Sequence, residues 1–262
     1  MMKVDPITLS VVRGILETTQ REMTLSLEKT SRSSVLNLAR DYSTSLFNAT
    51  PEMILQGQDI PIHLGSLMPA MKAVANFFSG EIHEGDLILH NDPAYNGSHI
   101  LDMCIYKPVF FEGKHVFWTV CKGHLTDVGG PVPASYNPEA TEIFAEGLRV
   151  PPIKLWEKGK QRDDILNMIL TNMRARRNQE GDFKALIGAC QLGEKNLINL
   201  INKYGLEKVN LCIDELLSMA DKHMRTLIKK IPNGEYTGTA TLEDAGHGLG
   251  DLDITANLTI KE

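Results

Sequence analysis

The sequence lacks the features that most directly announce a compartment or a cofactor loop. No apolar run is long enough to cross a bilayer, and Met1 to Glu17 carries Lys3, Asp5, Arg13 and Glu17 among its apolar residues, so neither a membrane span nor a signal core fits. The four cysteines, Cys104, Cys121, Cys190 and Cys212, form no C-x-x-C pair. They are read as reduced thiols, which places the chain in the cytoplasm. Positive charge is scarce: 27 Lys and Arg stand against 33 Asp and Glu, a net charge of −6, and no segment gathers enough cations to follow a phosphate backbone. Nucleic acid is therefore set aside as a partner. There is no internal repeat, no Ser- or Pro-rich linker, no Walker-type lysine loop and no G-x-S-x-G elbow. These absences exclude an ATP site of the chain's own and a serine-hydrolase signature.

What is present is an ordinary folding composition, 262 residues with 42% hydrophobic. Asp5 before Pro6 starts a helix, continued by Ile7, Val11, Ile15, Leu16, Met23 and Leu27 at helical spacing. Thr44 to Phe47 and Ile54 to Gln58 read as a strand pair, and Ser66 to Phe78 as a short helix. Leu87 to Leu89, Met103 to Phe111 and Val116 to Cys121 are β-rich, the last two forming a hairpin. Glycines and prolines make 129–152 mostly loop, with a short helix over Glu139 to Ala145. Three amphipathic helices follow at about 161–177, 182–203 and 207–230, the first stopping near Asn178 and the second at Gly205. Glu235 to Glu243 and Leu252 to Lys261 alternate as strands around Gly246-x-Gly248-x-Gly250, a turn because no helix follows it. The order predicts an α+β fold: an antiparallel sheet bearing the hairpin, with helices 161–230 as a separate layer.

Two H-x-x-D units, His99/Asp102 and His124/Asp127, bracket the hairpin. A three-residue loop, Glu112 to Lys114, pairs Phe111 with His115 and puts Asp102 opposite His124. His99 falls just beyond, where the strand frays into the turn at Gly97. Two imidazoles and a carboxylate are a ligand set for a catalytic divalent metal with open positions, which Zn²⁺, Mn²⁺ and Fe²⁺ all accept; hydrogen-bonded His–Asp pairs are the alternative. Asp41, in Arg40-Asp41-Tyr42-Ser43, is a candidate base, an extra ligand or a turn cap. His63 lies in a Pro- and Gly-bounded loop at a helix start, where amides could hold an anionic group of a substrate; a structural hydrogen bond is the alternative.

Asp41 to Ser43, Ile60 to Ser66, Asn91-Asp92-Pro93, Gly97-Ser98-His99, Asp102, Gly123-His124, Asp127 to Gly130, Glu146-Gly147 and Pro151-Pro152 occur in an order that resembles the hydantoinase B family. Asn172-x-Arg174, Gly181-Asp182 and Lys203-Tyr204-Gly205 extend the likeness over nearly the whole chain. That family includes oxoprolinase B halves and the acetone carboxylase alpha subunit. The resemblance implies a B-type subunit of an ATP-dependent cyclic-amide hydrolase, of hydantoin or 5-oxoproline type, with ATP used by a hydantoinase A-like partner. Asp41 or Asp127 would be the general base. In the carboxylase branch the resemblance places a metal on His99, Asp102 and His124. A ketone carboxylase subunit and a non-catalytic assembly protein are the alternatives. As one family region the chain divides into a mixed sheet part, 1–160, a helical layer, 161–230, and the start of a β-rich segment, 231–262. Family members continue into a large β-rich half; either a second polypeptide supplies it, or the chain is a fragment of a longer product.

Overall fold

The computed structural model describes residues 4–261; of the sequence expectations, Met1 to Lys3 and Glu262 lie outside them. The first helix, α1 (Pro6–Thr30), starts as expected: Asp5 accepts the Thr8 amide and Pro6 occupies the first turn. Its buried stripe is Val12, Leu16, Thr19, Met23 and Leu27, whereas Ile7 and Val11 face outward. A short helix, α2 (Ser34–Asn37), leads into the pair β1 (Tyr42–Asn48) and β2 (Met53–Gln56). Then come α3 (Pro61–Phe77), β3 (Leu87–His90), β4 (Asp102–Phe111), β5 (Lys114–His124), β6 (Ile153–Glu157) and β7 (Lys160–Gln161). Three helices follow, α4 (Asp163–Thr171), α5 (Arg176–Tyr204) and α6 (Leu206–Ile228), and a final pair, β8 (Gly234–Leu242) and β9 (Leu252–Ile260).

Seven strands form one sheet in the order β2-β1-β5-β4-β3-β6-β7, and every neighbouring pair is antiparallel. The fold is α+β. Alternation along the strands sends one set of side chains to each face. Phe47, Ile88, Tyr106, Trp118 and Val120 meet Leu67, Met71 and Val74 of α3 on one side. Leu46, Leu89, Ile105, Val109 and Cys121 belong to the larger core with α1 and α5 on the other. α5 approaches closely at Gly193, where an added Cβ would collide with Met23 and Thr119. No helix among the described residues is long and apolar enough to cross a membrane.

Three local expectations change. The β4–β5 loop has two residues, Glu112 and Gly113, both at positive φ (49° and 73°), so Phe111 faces Lys114. An irregularity between Val109 and Phe110 absorbs the difference, and Asp102 still faces His124. The first of the three later helices ends at Thr171, ahead of Asn178. The Arg174 amide and guanidinium turn back to Asp127, pulling 172–175 off the helical path before α5 begins. Gln161 pairs with Trp156 as a strand residue instead of joining α4.

Candidate metal centre

The site forms where β4 begins and β5 ends. Asp102 and His124 are cross-strand partners, and both side chains lie on the face that carries α3. His99 comes from the preceding loop, whose shape depends on Asn91. The Asn91 amide donates to the Ile100 and Leu148 carbonyls at 2.6 and 2.9 Å and accepts the Val150 amide at 2.7 Å. Asp92 holds the same loop by accepting from Ala94 and from Arg149. The Asn91-Asp92-Pro93 segment thus presents His99 to the strand end.

The Oδ1 atom of Asp102 lies 3.2 Å from His99 Nε2 and 3.3 Å from His124 Nδ1. One ligand atom from each of the three residues falls within 4.8 Å of the others. The His99 side chain is 51% exposed and that of Asp102 is 2% exposed, so the trio opens to solvent on the histidine side. Asp41, at the foot of β1, sits on this rim with its carboxylate 3.8 Å from His124 and from His63. Its main-chain carbonyl accepts the His124 amide at 3.0 Å, which ties the rim to the end of β5.

The closed side includes Lys122, which motif reading did not single out. Asp102 Oδ2 accepts the Ser98 hydroxyl and lies 3.3 Å from Lys122 Nζ and 3.5 Å from His63 Nε2. Lys122 in turn donates to Ser66 Oγ at 2.7 Å. Lys122 was detectable in principle, since Trp118, Val120 and Lys122 share one face of β5 and an ammonium at an apolar register asks for a partner.

Electrostatics suits a ligand set. Burial alone would raise the Asp102 carboxyl, but His124, His63, Lys122 and Ser98 more than reverse this and hold it well below the ordinary carboxylate range. Burial pushes the His99 imidazole down, only partly opposed by Asp102, which favours the neutral ring that a metal requires. The donors are two imidazoles and one ionised carboxylate without a thiolate, and they fit a zinc, manganese or iron ion.

The other predicted residues are placed differently. His63 is not in a loop: it is in the first turn of α3, buried at 2% exposure. Its ring bonds Ser43 Oγ at 2.9 Å and faces Asp102, so it backs the trio and offers no open anion cradle. Asp127 is not brought to the trio by any hydrogen bond. Its two oxygens accept from the amides of Gly129, Ala134 and Arg174 and from the Arg174 guanidinium. It fastens the 127–135 loop, and among the proposed bases Asp41 alone stands at the rim.

Comparison with known proteins identifies the family. The family described as Hydantoinase B/oxoprolinase matches residues 5–262. The caprolactamase subunit beta of Pseudomonas jessenii is 68% identical over 261 residues, 100% of this chain and 45% of that subunit. The crystal structure of the ATP-dependent caprolactamase from the same organism superposes with a TM-score of 0.95, covering 99% of this chain and 45% of that one. A nucleotide-free acetone carboxylase shares the fold at a TM-score of 0.85 and 20% identity, over 97% of this chain and 35% of its own. The chain thus spans about half the length, or less, of these relatives. It belongs to the hydantoinase B/oxoprolinase family.

Proposed function

We propose that the chain acts in the B-type subunit of an ATP-dependent cyclic-amide hydrolase, with His99, Asp102 and His124 holding a divalent metal. One observation carries the reaction class: 68% identity, over the whole chain, to a subunit of caprolactamase. This favours a lactam over hydantoin or 5-oxoproline as substrate, and a hydrolase over a ketone carboxylase. An A-type ATPase partner would activate the amide carbonyl. The whole of 1–262 is read as one family region, and the remainder of the working pocket comes from elsewhere in the complex. The complex is assigned to the cytoplasm, in keeping with four free, buried cysteines.

When bound, a divalent ion at the trio would polarise a carbonyl or lower the pKa of a water. The rest of the chemistry falls to the chain. His99 and His124 would offer ring nitrogens, and ionised Asp102 supplies charge through Oδ1. Asp41, on the open rim, accepts the proton of the attacking water and delivers it toward the leaving nitrogen. His63 and Ser98 contact Oδ2 of Asp102 on the closed side.

The test is reconstitution with the A-type partner, assayed with caprolactam, hydantoin, 5-oxoproline, and acetone plus bicarbonate, following ATP consumption and ring-opened product. ATP-dependent opening of the lactam is expected. Carboxylation of acetone, or no turnover with any ring, would overturn the assignment.

A further inference from the structure

The two oxygens of Asp102 do different jobs. Oδ1 faces His99 and His124, while Oδ2 faces Ser98, His63 and Lys122. Of the three partners of Oδ2, Lys122 brings a formal charge on a side chain that is 3% exposed. Its neighbours across the sheet supply no competing anion. Ser43 of β1 and Cys104 of β4 flank it in register, and His90 lies beyond Cys104 on β3. Cys104 is a free buried thiol, and burial pushes the His90 imidazole down to about 4, so that ring carries no charge at physiological pH. A buried ammonium needs a partner, and here the carboxylate within ion-pair distance is Asp102. From the other side Ser66 fixes the ammonium to α3, its own hydroxyl also facing the His63 carbonyl at 3.2 Å.

We propose that Lys122, clamped between Ser66 of α3 and Oδ2 of Asp102, is a positioning residue that reserves that oxygen and presents Oδ1 alone to the trio. The inference rests on the metal reading above and adds the group that sets how Asp102 binds. An unclamped carboxylate could rotate or offer both oxygens. The clamped one is a single-oxygen ligand of fixed direction, held by an ammonium that also cancels one negative charge behind the site. The sheet joins this clamp to the ligands directly, since Lys122 and His124 are two residues apart on one strand face and Asp102 stands opposite His124. A shift of α3 at Ser66 would therefore be felt at the metal.

The experiment measures zinc and manganese dissociation constants by chelator competition on the assembled complex, with the metal-free melting temperature recorded on the same samples. Lys122→Met is expected to weaken zinc by about 10- to 100-fold, the usual effect of losing a group that orients a ligand. Lys122→Arg, which restores a cation, should recover most of that loss, whereas Ser66→Ala should show a smaller loss in the same direction. Zinc binding in Lys122→Met that is unchanged or tighter overturns the proposal, because a packing or charge-cancelling role alone predicts one of those results. If Lys122→Met does not fold, Ser66→Ala decides: weakened zinc supports the clamp and wild-type affinity overturns it. Wild-type complex that takes up neither metal would instead overturn the metal reading itself, and the clamp with it.

Discussion

His124 lies at a strand end, 23% exposed, with its ring against Asp102. Removing it leaves two ligands and no large void, so His124→Ala is expected to lose bound metal and turnover together while the fold persists. Elemental analysis and a melting curve on one preparation check this. A lowered melting temperature with full metal would mean a structural histidine, whose loss costs about 1–3 kcal/mol. Asp127 makes the opposite case. Asp127→Ala strands the amides of Gly129, Ala134 and Arg174 and should cost about 2–3 kcal/mol while leaving metal content intact. Asp102 also sets a pH dependence in the metal-free protein. Its folded carboxyl titrates below the unfolded value of 3.8, so its stabilisation is complete at neutral pH and disappears as pH falls through the folded value. Denaturant melts of wild type and Asp102→Asn from pH 7 downward should therefore converge in strong acid. Of these residues, the trio was legible because hairpin pairing fixes Asp102 opposite His124. His63 and Asp127 were misplaced because their partners, Ser43 and Arg174, lie 20 and 47 residues away, and no local pattern encodes such pairings.

Among the elements, α5 carries two glycines that respond oppositely to a methyl group. At Gly188 nothing lies within 4 Å of an added Cβ, so Gly188→Ala should stabilise by up to about 1 kcal/mol through helix propensity. At Gly193 the added Cβ meets Met23 and Thr119, and Gly193→Ala should destabilise by about 1–3 kcal/mol despite the same gain. Thermal melts of the two variants test how tightly α5 is pressed onto α1 and β5. Element order was readable because strand alternation and helical spacing are local signals. The failure at 172–175 was not local: Arg174 leaves the helix for Asp127 and Gly130, in the loop that follows β5. The two-residue hairpin loop was equally hidden, since the irregularity at Val109/Phe110 and the Glu112-Gly113 turn compensate each other in register.

For the whole molecule, the last two strands stand apart from the main sheet and have an apolar face. Tyr236, Leu242, Leu252, Ile254 and Leu258 alternate with Thr237, Thr239, Asp253 and Thr255, and the five apolar residues are 41–58% exposed. A contiguous apolar face of this kind is expected to favour association. Ile254→Asp should leave the unfolding free energy within about 0.5 kcal/mol of wild type, because Ile254 is 58% exposed. It should also reduce self-association of the chain, as read by light scattering. An unchanged scattering profile would show that the face is indifferent to association.

The position of the hairpin within the sheet has one more consequence. β5 and β4 are the third and fourth of seven strands, and the flanking ladders with β1 and β3 run to Gly123 and Cys104, one residue short of His124 and two short of Asp102. Central strands of this kind exchange their amide hydrogens only when the domain opens as a unit. Two ligands of the trio therefore stand at the margin of this doubly paired centre, expected to exchange slowly, and the third on a surface loop. An incoming ion meets a frame already in place, and its arrival is expected to slow deuterium uptake around His99 while leaving β4 and β5 as they were.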